Sequence, residues 1–278
     1  MEGMENLEVA ELAEMALTLA REGGERAAEL RRAGVAVAST KSSLADVVTA
    51  ADGEVEDLLR RRISELRPDD AILGEEGDDV PGTSGLTWVL DPIDGTVNYL
   101  YGLPYWAVSV AVCTGEPDPR TWRVLAGAVA APALGHVWHA AVGSGAFRDG
   151  EPIAVSQEED LSLALVATGF GYRSEQRAEQ ARVLATVLPE ARDIRRAGSC
   201  AIDLCMVGDG TVDAYYESGI NAWDMAAGEV IVREAGGLVE GLAGERASTA
   251  MVVAGNPHLT GHVARLVESA SRSRDPGV

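Results

Sequence analysis

Cysteine is scarce in this chain, and the cysteines that are present form no recognisable set. Cys113, Cys200 and Cys205 are three among 278 residues, and their spacing matches neither a CxxC pair nor a zinc-binding cluster. Their odd number and apolar neighbours favour reduced, partly buried thiols of the kind that persist in the cytoplasm. A disulfide-stabilised secreted domain is therefore not expected.

Basic residues are also few, and long apolar runs are missing. The chain has 23 Lys and Arg against 44 Asp and Glu, which gives a net charge of −21 at pH 7. Such a charge repels nucleic acids and anionic membrane surfaces, so neither is an expected partner. No apolar run reaches the ~18 residues that span a bilayer, and glutamates crowd the start, where a secretory signal would be positively charged. These features predict a cytoplasmic protein.

Apolar residues are plentiful enough for a large core. They make up 46% of the chain, and the mean hydropathy is +0.02. This suits one large α/β domain or two closely packed lobes. Helical periodicity is expected in residues 5–32, 49–67, 175–188, 222–234 and 258–270 and after residue 198, and strands in residues 71–74, 87–90, 105–113, 124–131, 135–141, 163–168, 213–217 and 250–254.

The stretch from Trp88 to Asn98, Trp-Val-Leu-Asp-Pro-Ile-Asp-Gly-Thr-Val-Asn, carries the strongest chemical signal. A short apolar strand ends at Asp91. Because Pro92 cannot donate a ladder hydrogen bond, we expect the strand to stop there. The following Asp-Gly is a turn signal, and a helix is expected to open at Thr96.

Two carboxylates are forced together at this turn, because Asp94 follows Asp91 by only three residues. Each raises the pKa of the other unless a cation lies between them. Mg²⁺ removes that conflict, since it binds a few carboxylate oxygens together with substrate phosphate. Backbone N–H groups of Gly95 and Thr96 at the helix start would hold an anion beside it. The motif therefore indicates a phosphate-ester hydrolase.

The same residues also have a purely structural interpretation. Asp-Pro-x-Asp-Gly is a favourable turn sequence, and Asp-Gly between apolar runs is typical of a hairpin. The stretch alone does not separate a turn from a metal site, so acids elsewhere in the chain decide between them.

Further acids stand where predicted elements begin or end. Asp52 completes a capping box with Thr49 at a helix start, which is a sufficient structural role for it. Glu75 and Glu76 follow a short strand, a place where acids are usually solvated. Residues 78–85 contain Asp, Pro, Gly and Ser and are expected to form a mobile loop.

Taken together, these motifs resemble the inositol monophosphatase family of Mg²⁺-dependent, lithium-sensitive phosphatases. The likeness covers roughly residues 41–256, and within it Lys41 and Asp46 match the family's early segment. Two long signatures in the right order and spacing outweigh the turn-only interpretation. The motifs are Glu75-Glu76, Trp88-Val-Leu-Asp91-Pro-Ile-Asp94-Gly-Thr96, and Ala222-Trp-Asp224-Met-Ala-Ala-Gly followed by Glu234-Ala-Gly-Gly.

The resemblance implies an α/β (α+β) fold, a layered α-β-α-β-α sandwich of the inositol monophosphatase and fructose-1,6-bisphosphatase superfamily, often found as a homodimer. It implies one catalytic domain over residues 1–270. An N-terminal α+β lobe would cover about 1–155 and a C-terminal α/β lobe about 156–270. Residues 271–278 would form a frayed tail.

Carried over residue by residue, the resemblance implies two or three Mg²⁺ ions per site. Their ligands would be Glu75, Asp91, Asp94, Asp224 and the carbonyl of Ile93. Asp91 would bridge two ions, and Glu75 would touch the first and, through waters, a third. This set agrees with the chemistry of the motif, since oxygen-only ligands favour Mg²⁺ over zinc.

The family's mechanism implies a metal-activated water that attacks phosphorus in line, with no Ser or Cys nucleophile. Thr96, hydrogen-bonded to Asp52, would orient that water, and Glu75 would help to accept its proton. The phosphate would contact the Gly95 and Thr96 amides. A water near Asp224 would protonate the leaving alkoxide.

For the substrate alcohol, the resemblance implies contacts from Glu217 and from the segment around Cys200, with Asp94 and Asp224 also touching the substrate. Glu217 also has a structural interpretation, as a surface acid at a strand end. Cys200 stands where relatives often have a smaller residue, which changes the fit of the substrate.

The substrate implied first is myo-inositol-1-phosphate, because the run from Tyr215 to Asp224 favours the inositol group. Histidinol phosphate and fructose 1,6-bisphosphate are alternatives on the same fold, and any of these is a small phosphorylated polyol or sugar. A regulatory protein-binding module that has kept the fold is an alternative of another class. The intact set of acids argues against a purely binding role.

Overall fold

The computed structural model describes residues 2–35, 37–40 and 47–272. Its helices are α1 (Glu2–Ala33), α2 (Ala50–Leu66), α3 (Thr96–Tyr101), α4 (Ser174–Val187), α5 (Cys200–Gly208), α6 (Ala222–Glu234) and α7 (Pro257–Arg272). Its strands are β1 (Val37–Thr40), β2 (Val47–Thr49), β3 (Ala71–Gly74), β4 (Leu86–Asp94), β5 (Ala107–Thr114), β6 (Arg123–Ala131), β7 (His136–Ala141), β8 (Gly145–Arg148), β9 (Glu151–Pro152), β10 (Leu165–Thr168), β11 (Asp193–Arg195), β12 (Ala214–Glu217), β13 (Leu238–Glu240) and β14 (Val252–Gly255).

The first large sheet has seven strands in sequential order from β3 to β9. β3 and β4 are parallel, and every later neighbour pair is antiparallel. The predicted antiparallel meander is thus confirmed, and two short strands extend it. β4 is buried along its whole length, and β5 and β6 are buried except at one end, because helices cover both faces of the sheet.

The second sheet has five strands in the order β11-β10-β12-β14-β13. β10 pairs in parallel with β11 and β12, whereas β14 runs antiparallel to β12 and β13. The predicted strand at residues 163–168 is shorter, because a 3₁₀ turn occupies Leu161–Leu163 before β10 begins.

The elements stack as five layers. α1 and α2 cover one face of the seven-stranded sheet, and α5 and α6 lie between the two sheets. α4 and α7 cover the outer face of the five-stranded sheet. The predicted α-β-α-β-α sandwich is therefore confirmed.

In the central layer, formed by α5 and α6, small residues allow the backbones of neighbouring elements to pack closely together. A Cβ atom added to Gly127 on β6 would lie 2.8 Å from the Cα of Ala227 on α6. One added to Gly228 would meet the Leu204 side chain of α5 at 2.5 Å. Helix α6 therefore rests directly on the first sheet, and its N-terminus is fixed relative to the end of β4.

The end of β4 differs from the prediction. The strand does not stop at Pro92 but continues to Asp94, with a register shift between Asp91 and Asp94 against β5. The shift leaves the two intervening residues outside the ladder, so the missing N–H of Pro92 costs no pairing. The backbone N–H of Ile93 instead donates to Asp91 Oδ1 at 3.0 Å.

Residues 78–85 form an irregular connection, as expected, but it is attached to the body of the fold. Val80 and Ile72 exchange two backbone hydrogen bonds of 2.9 Å, and the carbonyl of Asp69 accepts from the N–H groups of Thr83 and Ser84. The mobility of this loop stays a prediction.

Several remaining predictions concern the ends of the described segments, the division into lobes and membrane-spanning helices. Lys41, Asp46 and residues 273–278 lie outside the described residues, whereas α7 extends the last predicted helix to Arg272. The strands of the two large sheets lie within residues 71–152 and 165–255, and the proposed division into two lobes stays a prediction. Among the described residues, the helices are too short or too polar to traverse a lipid bilayer.

Candidate active site

Three carboxylates from two layers of the fold meet at the junction of β4 and α6. Asp91 and Asp94 lie in the irregular end of β4, and Asp224 lies in the first turn of α6. One oxygen from each lies within 4.8 Å of the others. The backbone N–H of Asn221 donates to Asp224 at 2.5 Å in a capping box, which orients that carboxylate.

Burial sets the electrostatics of this cluster. It raises the pKa of Asp91 well above its usual range, and the charges of Glu75, Asp94 and Asp224 raise it further. The pKa of Asp224 is raised in the same way, first by burial and then by Asp94 and Glu75. Burial raises the pKa of Asp94 to about 6, although the Ser199 hydroxyl and nearby backbone N–H groups oppose this. The cluster is a concentration of negative charge that a cation would relieve.

The donor set fits a hard divalent cation. Asp91 Oδ2 is buried and lacks a hydrogen-bond partner in the described structure. An orphaned carboxylate oxygen in a buried site is costly unless something positive reaches it. Oxygen donors from carboxylates are the ligands that Mg²⁺ takes in proteins.

Two other predicted ligands lie beside the cluster. Glu75, which follows β3, lines the same cavity, and its charge acts on both Asp91 and Asp224. It is not one of the three carboxylates within 4.8 Å. Ile93 is buried, and its carbonyl accepts from the Thr96 hydroxyl at 3.1 Å.

Asp52 caps α2 and also contacts Thr96. Its Oδ2 accepts from the backbone N–H of Thr49 at 2.8 Å and from the Thr49 hydroxyl at 2.6 Å, which forms the predicted capping box of α2. Its Oδ1 lies 3.3 Å from the Thr96 hydroxyl, across the interface with α3. Burial raises the pKa of Asp52, and the bonds from Thr49 oppose that rise.

A cavity of about 460 Å³ opens above the carboxylates. Of the predicted site residues, only Asp52 lies behind its wall. The others line it: Glu75, Asp91, Ile93, Asp94, Gly95, Thr96, Cys200, Glu217 and Asp224.

Glu217 and Cys200 are the predicted substrate-contacting residues from the five-stranded sheet and from the start of α5. Glu217 Oε2 accepts from the Tyr215 hydroxyl at 2.7 Å. Burial raises the pKa of Glu217 to about 7, although the Tyr215 hydrogen bond lowers it. Burial also raises the pKa of the Cys200 thiol well above its usual range, so this thiol is a poor nucleophile.

Sequence analysis missed the side chains that hold Asp94. The Ser199 hydroxyl donates to Asp94 Oδ2 at 2.6 Å, and the backbone N–H of Ala201 donates to the same oxygen at 2.7 Å. The amide of Asn98 bonds to the carbonyls of Tyr105, Ala197 and Gly198, at 2.6, 2.9 and 3.2 Å. Ser199 had a helix-cap signal, but such a signal does not reveal which distant carboxylate the hydroxyl meets.

Glu56 on α2 is a second missed residue. Its carboxylate accepts from the backbone N–H groups of Glu76 and Gly77, at 2.9 and 2.8 Å, and pairs with Arg60 at 2.7 Å. These bonds fix the chain just after Glu75. Glu56 sits at helical spacing, which gives no sign of this role.

The cavity wall also carries side chains that no motif singled out. Phe170 and Arg173 come from the segment between β10 and α4, Gln176 from the first turn of α4, and Arg196 follows β11. The Arg196 guanidinium lies 6.0 Å from the centre of the Phe170 ring.

Comparison with known proteins agrees with this geometry. A profile described as the inositol monophosphatase family matches residues 8–272. The inositol-1-monophosphatase of Mycobacterium bovis is 49% identical over 208 residues, which cover 72% of this chain and 70% of that protein. Inositol monophosphatase 1 of Homo sapiens is 34% identical over 277 residues, 95% of this chain and 97% of that protein.

A solved structure supports the same relationship. The extragenic suppressor protein suhB from Bartonella henselae superposes with a TM-score of 0.84 at 30% identity. The match covers 92% of this chain and 97% of that one. The similarity therefore extends through all five layers of the sandwich.

Proposed function

The chain belongs to the inositol monophosphatase family, and from that premise we propose that it is a Mg²⁺-dependent phosphatase whose substrate is myo-inositol-1-phosphate. Membership makes it a hydrolase of phosphomonoesters. The observation that carries the proposal is the meeting of Asp91, Asp94 and Asp224 within 4.8 Å at a cavity of about 460 Å³. That volume suits one small phosphorylated polyol or sugar, since ligand pockets span roughly 300–1,000 Å³.

The proposed metal ligands are the side chains of Glu75, Asp91, Asp94 and Asp224 and the carbonyl of Ile93, which would hold two or three Mg²⁺ ions. Bound there, the ions would supply activation of a water and stabilisation of charge on the leaving oxygen. The orphaned buried oxygen of Asp91 and the raised pKa values of the cluster support this assignment.

We assign the orientation of the attacking water to Thr96. Its hydroxyl lies within hydrogen-bonding distance of Asp52 Oδ1 and of the Ile93 carbonyl. Because its proton is committed to one of these acceptors, its lone pairs can accept a hydrogen bond from a water. Glu75, on the same wall, would take the proton that the water loses.

The remaining wall would bind the two ends of the substrate. The amides of Gly95 and Thr96 would receive the phosphate, beside Asp94 and Asp224. Glu217 would accept hydrogen bonds from hydroxyl groups of the alcohol, and the Cys200 side chain would limit its size. Tyr215 supports this role, because its hydrogen bond holds the Glu217 carboxylate in place.

We also propose that the protein is a cytoplasmic homodimer. Its cysteines are all unpaired and buried, which suits a reducing compartment. Tyr101 and Leu103, at the end of α3, are 76% and 51% exposed, and an apolar surface of this kind supports association with a second copy. Sedimentation velocity tests this, and a single monomeric boundary at micromolar concentration would refute it.

The activity is tested by phosphate release from myo-inositol-1-phosphate with and without Mg²⁺, for wild type, Asp91→Asn and the control Asp57→Asn. Asp57 is exposed on α2, so the control removes one charge without touching the cavity. We expect release only with Mg²⁺, a loss of at least 100-fold in Asp91→Asn and no change in the control. Equal rates in wild type and Asp91→Asn would contradict the proposal.

A substrate panel separates the alternatives. Histidinol phosphate and fructose 1,6-bisphosphate are compared with myo-inositol-1-phosphate by kcat/KM. A higher value for either would replace the proposed substrate while keeping the reaction. If wild type released phosphate from no polyol or sugar phosphate, the regulatory protein-binding module would be favoured.

A further inference from the structure

We propose that, among linear phosphorylated polyols, the cavity favours those that carry a second anionic group, phosphate or carboxylate, which Arg173 and Arg196 bind at the end remote from the carboxylate cluster. This inference rests on the proposed function, because it takes phosphomonoester hydrolysis as the reaction. In that reaction a water oxygen bonds to phosphorus while the bond from phosphorus to the polyol oxygen breaks, and the polyol oxygen gains a proton.

Both arginines line the cavity but come from different loops. Arg173 immediately precedes α4, and Arg196 immediately follows β11. The 6.0 Å approach of Arg196 to the Phe170 ring is a cation–π distance, and Phe170 also lines the cavity. The ring therefore holds the guanidinium at the cavity wall instead of leaving it in bulk solvent.

Arg196 acts on the acids of the Glu217 side of the cavity, Glu217 and Asp203. Arg196 lowers the pKa of Glu217, and it is not among the principal influences on Asp91 or Asp224. Burial still raises the pKa of Glu217 to about 7, so near neutral pH this acid offsets the two arginines only in part. The alcohol end of the cavity therefore carries the positive charge of Arg196 beside Glu217, whereas the metal end carries the carboxylate cluster.

Neither arginine is committed to a carboxylate elsewhere. Within the described part of the chain, Arg173 and Arg196 form no ion pair, whereas the adjacent Arg195 pairs with Asp193 at 2.6 Å. A guanidinium with its donors unused at a cavity wall is suited to bind phosphate or carboxylate in a bidentate manner. The chain as a whole has a net charge of −21 and repels anions, so local positive charge at the cavity is needed to attract a polyanionic substrate.

Three linear six-carbon probes isolate this charge effect. Glucitol 6-phosphate, 6-phosphogluconate and glucitol 1,6-bisphosphate share a phosphorylated C6 and carry a hydroxyl, a carboxylate or a phosphate at C1. We expect kcat/KM in Mg²⁺ to rise at least tenfold from the hydroxyl to either anion, mostly through KM, since hydrogen bonds to charged groups contribute roughly ten- to hundredfold. The bisphosphate has two primary phosphate esters that can be hydrolysed, and this accounts for only about a factor of two of that rise.

The variants Arg173→Gln and Arg196→Gln test the residues. Each is expected to lower the ratio of kcat/KM for the anionic probes over glucitol 6-phosphate by at least fivefold, and Arg196→Glu to lower it further. Arg182→Gln is the matched control, because Arg182 is exposed on α4 and does not line the cavity. We expect it to leave the ratio unchanged.

The outcomes separate this inference from the proposed function. If wild type hydrolyses myo-inositol-1-phosphate and glucitol 6-phosphate but shows no preference for the anionic probes, the inference fails and the function stands. A preference that persists in both Gln variants would equally overturn the assignment. A preference for only one of the two anions identifies which group the arginines bind. If no phosphomonoester is hydrolysed in Mg²⁺, both fail together.

Discussion

At the scale of single residues, Asp91 differs from three acids outside the site in its hydrogen-bond partners. Three buried acids outside the site each accept an indole N–H at 2.9 Å and pair with an arginine. The cluster acid Asp91 has the same burial, yet one of its oxygens has no partner in the described structure. The structural sets are Trp88–Asp70–Arg67, Trp122–Glu229–Arg233 and Trp138–Asp209–Arg148.

Replacing Ser199 by alanine removes both a donor to Asp94 and the N-cap of α5. We expect kcat/KM to fall about tenfold, because a charge-assisted hydrogen bond contributes roughly 1.5–3 kcal/mol. Loss of the cap should also lower the free energy of unfolding by about 1 kcal/mol. Steady-state kinetics and urea titration measure the two effects. Ser162→Ala is the control, because it removes an exposed hydroxyl that does not line the cavity, and an equal kinetic loss there would contradict the role of Ser199.

Glu217 should make stability depend on pH. Its folded pKa of about 7 exceeds the ordinary 4.5, so the folded state holds the proton more tightly. The stability that this group contributes is complete below pH 4.5 and is lost as pH rises towards 7. We expect the free energy of unfolding of wild type in EDTA to fall between pH 5 and 7. In Glu217→Gln this slope should be smaller by up to about 1.4 kcal/mol per pH unit.

Urea titrations at a series of pH values measure this slope. Glu151→Gln changes an exposed glutamate and serves as the control. An unchanged slope in Glu217→Gln would show that Glu217 is ionised throughout this range.

At the scale of elements, the irregular end of β4 and the start of α3 form one closely packed connection, called here the β4–α3 joint. Gly95 links them with φ of +91°, and a Cβ atom there would lie 2.7 Å from the carbonyl oxygen of Tyr105. Asn98 bonds to the same carbonyl and joins α3 to the loop before α5. The joint therefore holds Asp94 and Ser199 against each other.

Gly95→Ala is expected to abolish measurable activity and to destabilise the fold, because it combines a left-handed backbone with a steric clash. Gly135→Ala is a matched control: φ there is +75°, but nothing lies within 4 Å of an added Cβ. The control should cost only the backbone strain, about 1–2 kcal/mol, and keep its activity. Comparable kinetic loss in the two variants would show that strain alone, without the clash, accounts for the effect.

Local signals predicted the elements well where the relevant contacts are close in sequence. The capping box of Thr49 and Asp52 and the valine-rich strands of the meander are examples. The prediction that β4 ends at Pro92 was wrong. Proline shows that a backbone N–H is missing, but the sequence does not show whether a bulge leaves that position outside the hydrogen-bonded ladder.

The residues of the candidate site could be predicted where they lie in family motifs. They could not be predicted where only tertiary contacts bring them into the site. The acids at 91, 94 and 224 could be named because their motifs are long. The bond from Ser199 to Asp94 spans 105 residues, and Arg173 and Arg196 reach the same cavity from two loops. No periodicity or spacing encodes such pairs, so only the assembled layers reveal them.

At the scale of the whole molecule, the carboxylate cluster joins two layers that repel each other locally. β4 belongs to the first sheet and α6 to the central helical layer, so the charges of Asp91 and Asp224 oppose their contact. A divalent cation bound by both would turn that repulsion into a link. Metal binding and the stability of the sandwich should therefore be coupled.

Mg²⁺ is expected to raise the thermal midpoint of wild type by several degrees. A ligand present at 100 times its Kd adds about 2.7 kcal/mol to the free energy of unfolding. Asp91→Asn should remove this response and, in EDTA, should be at least as stable as wild type, because it relieves the repulsion. Differential scanning calorimetry with and without Mg²⁺ measures both. A full Mg²⁺ response in Asp91→Asn would contradict the coupling, and Asp57→Asn should behave as wild type.

The order of elements along the chain also has a consequence for synthesis on the ribosome. The seven-stranded sheet is complete by residue 152, but the helices that cover its inner face begin only at Cys200 and Ala222. A nascent chain of about 155 residues would therefore present a broad uncovered apolar surface to solvent for the time needed to translate some eighty more codons. Such an intermediate is a natural client for chaperones, and an expression product truncated there is expected to precipitate.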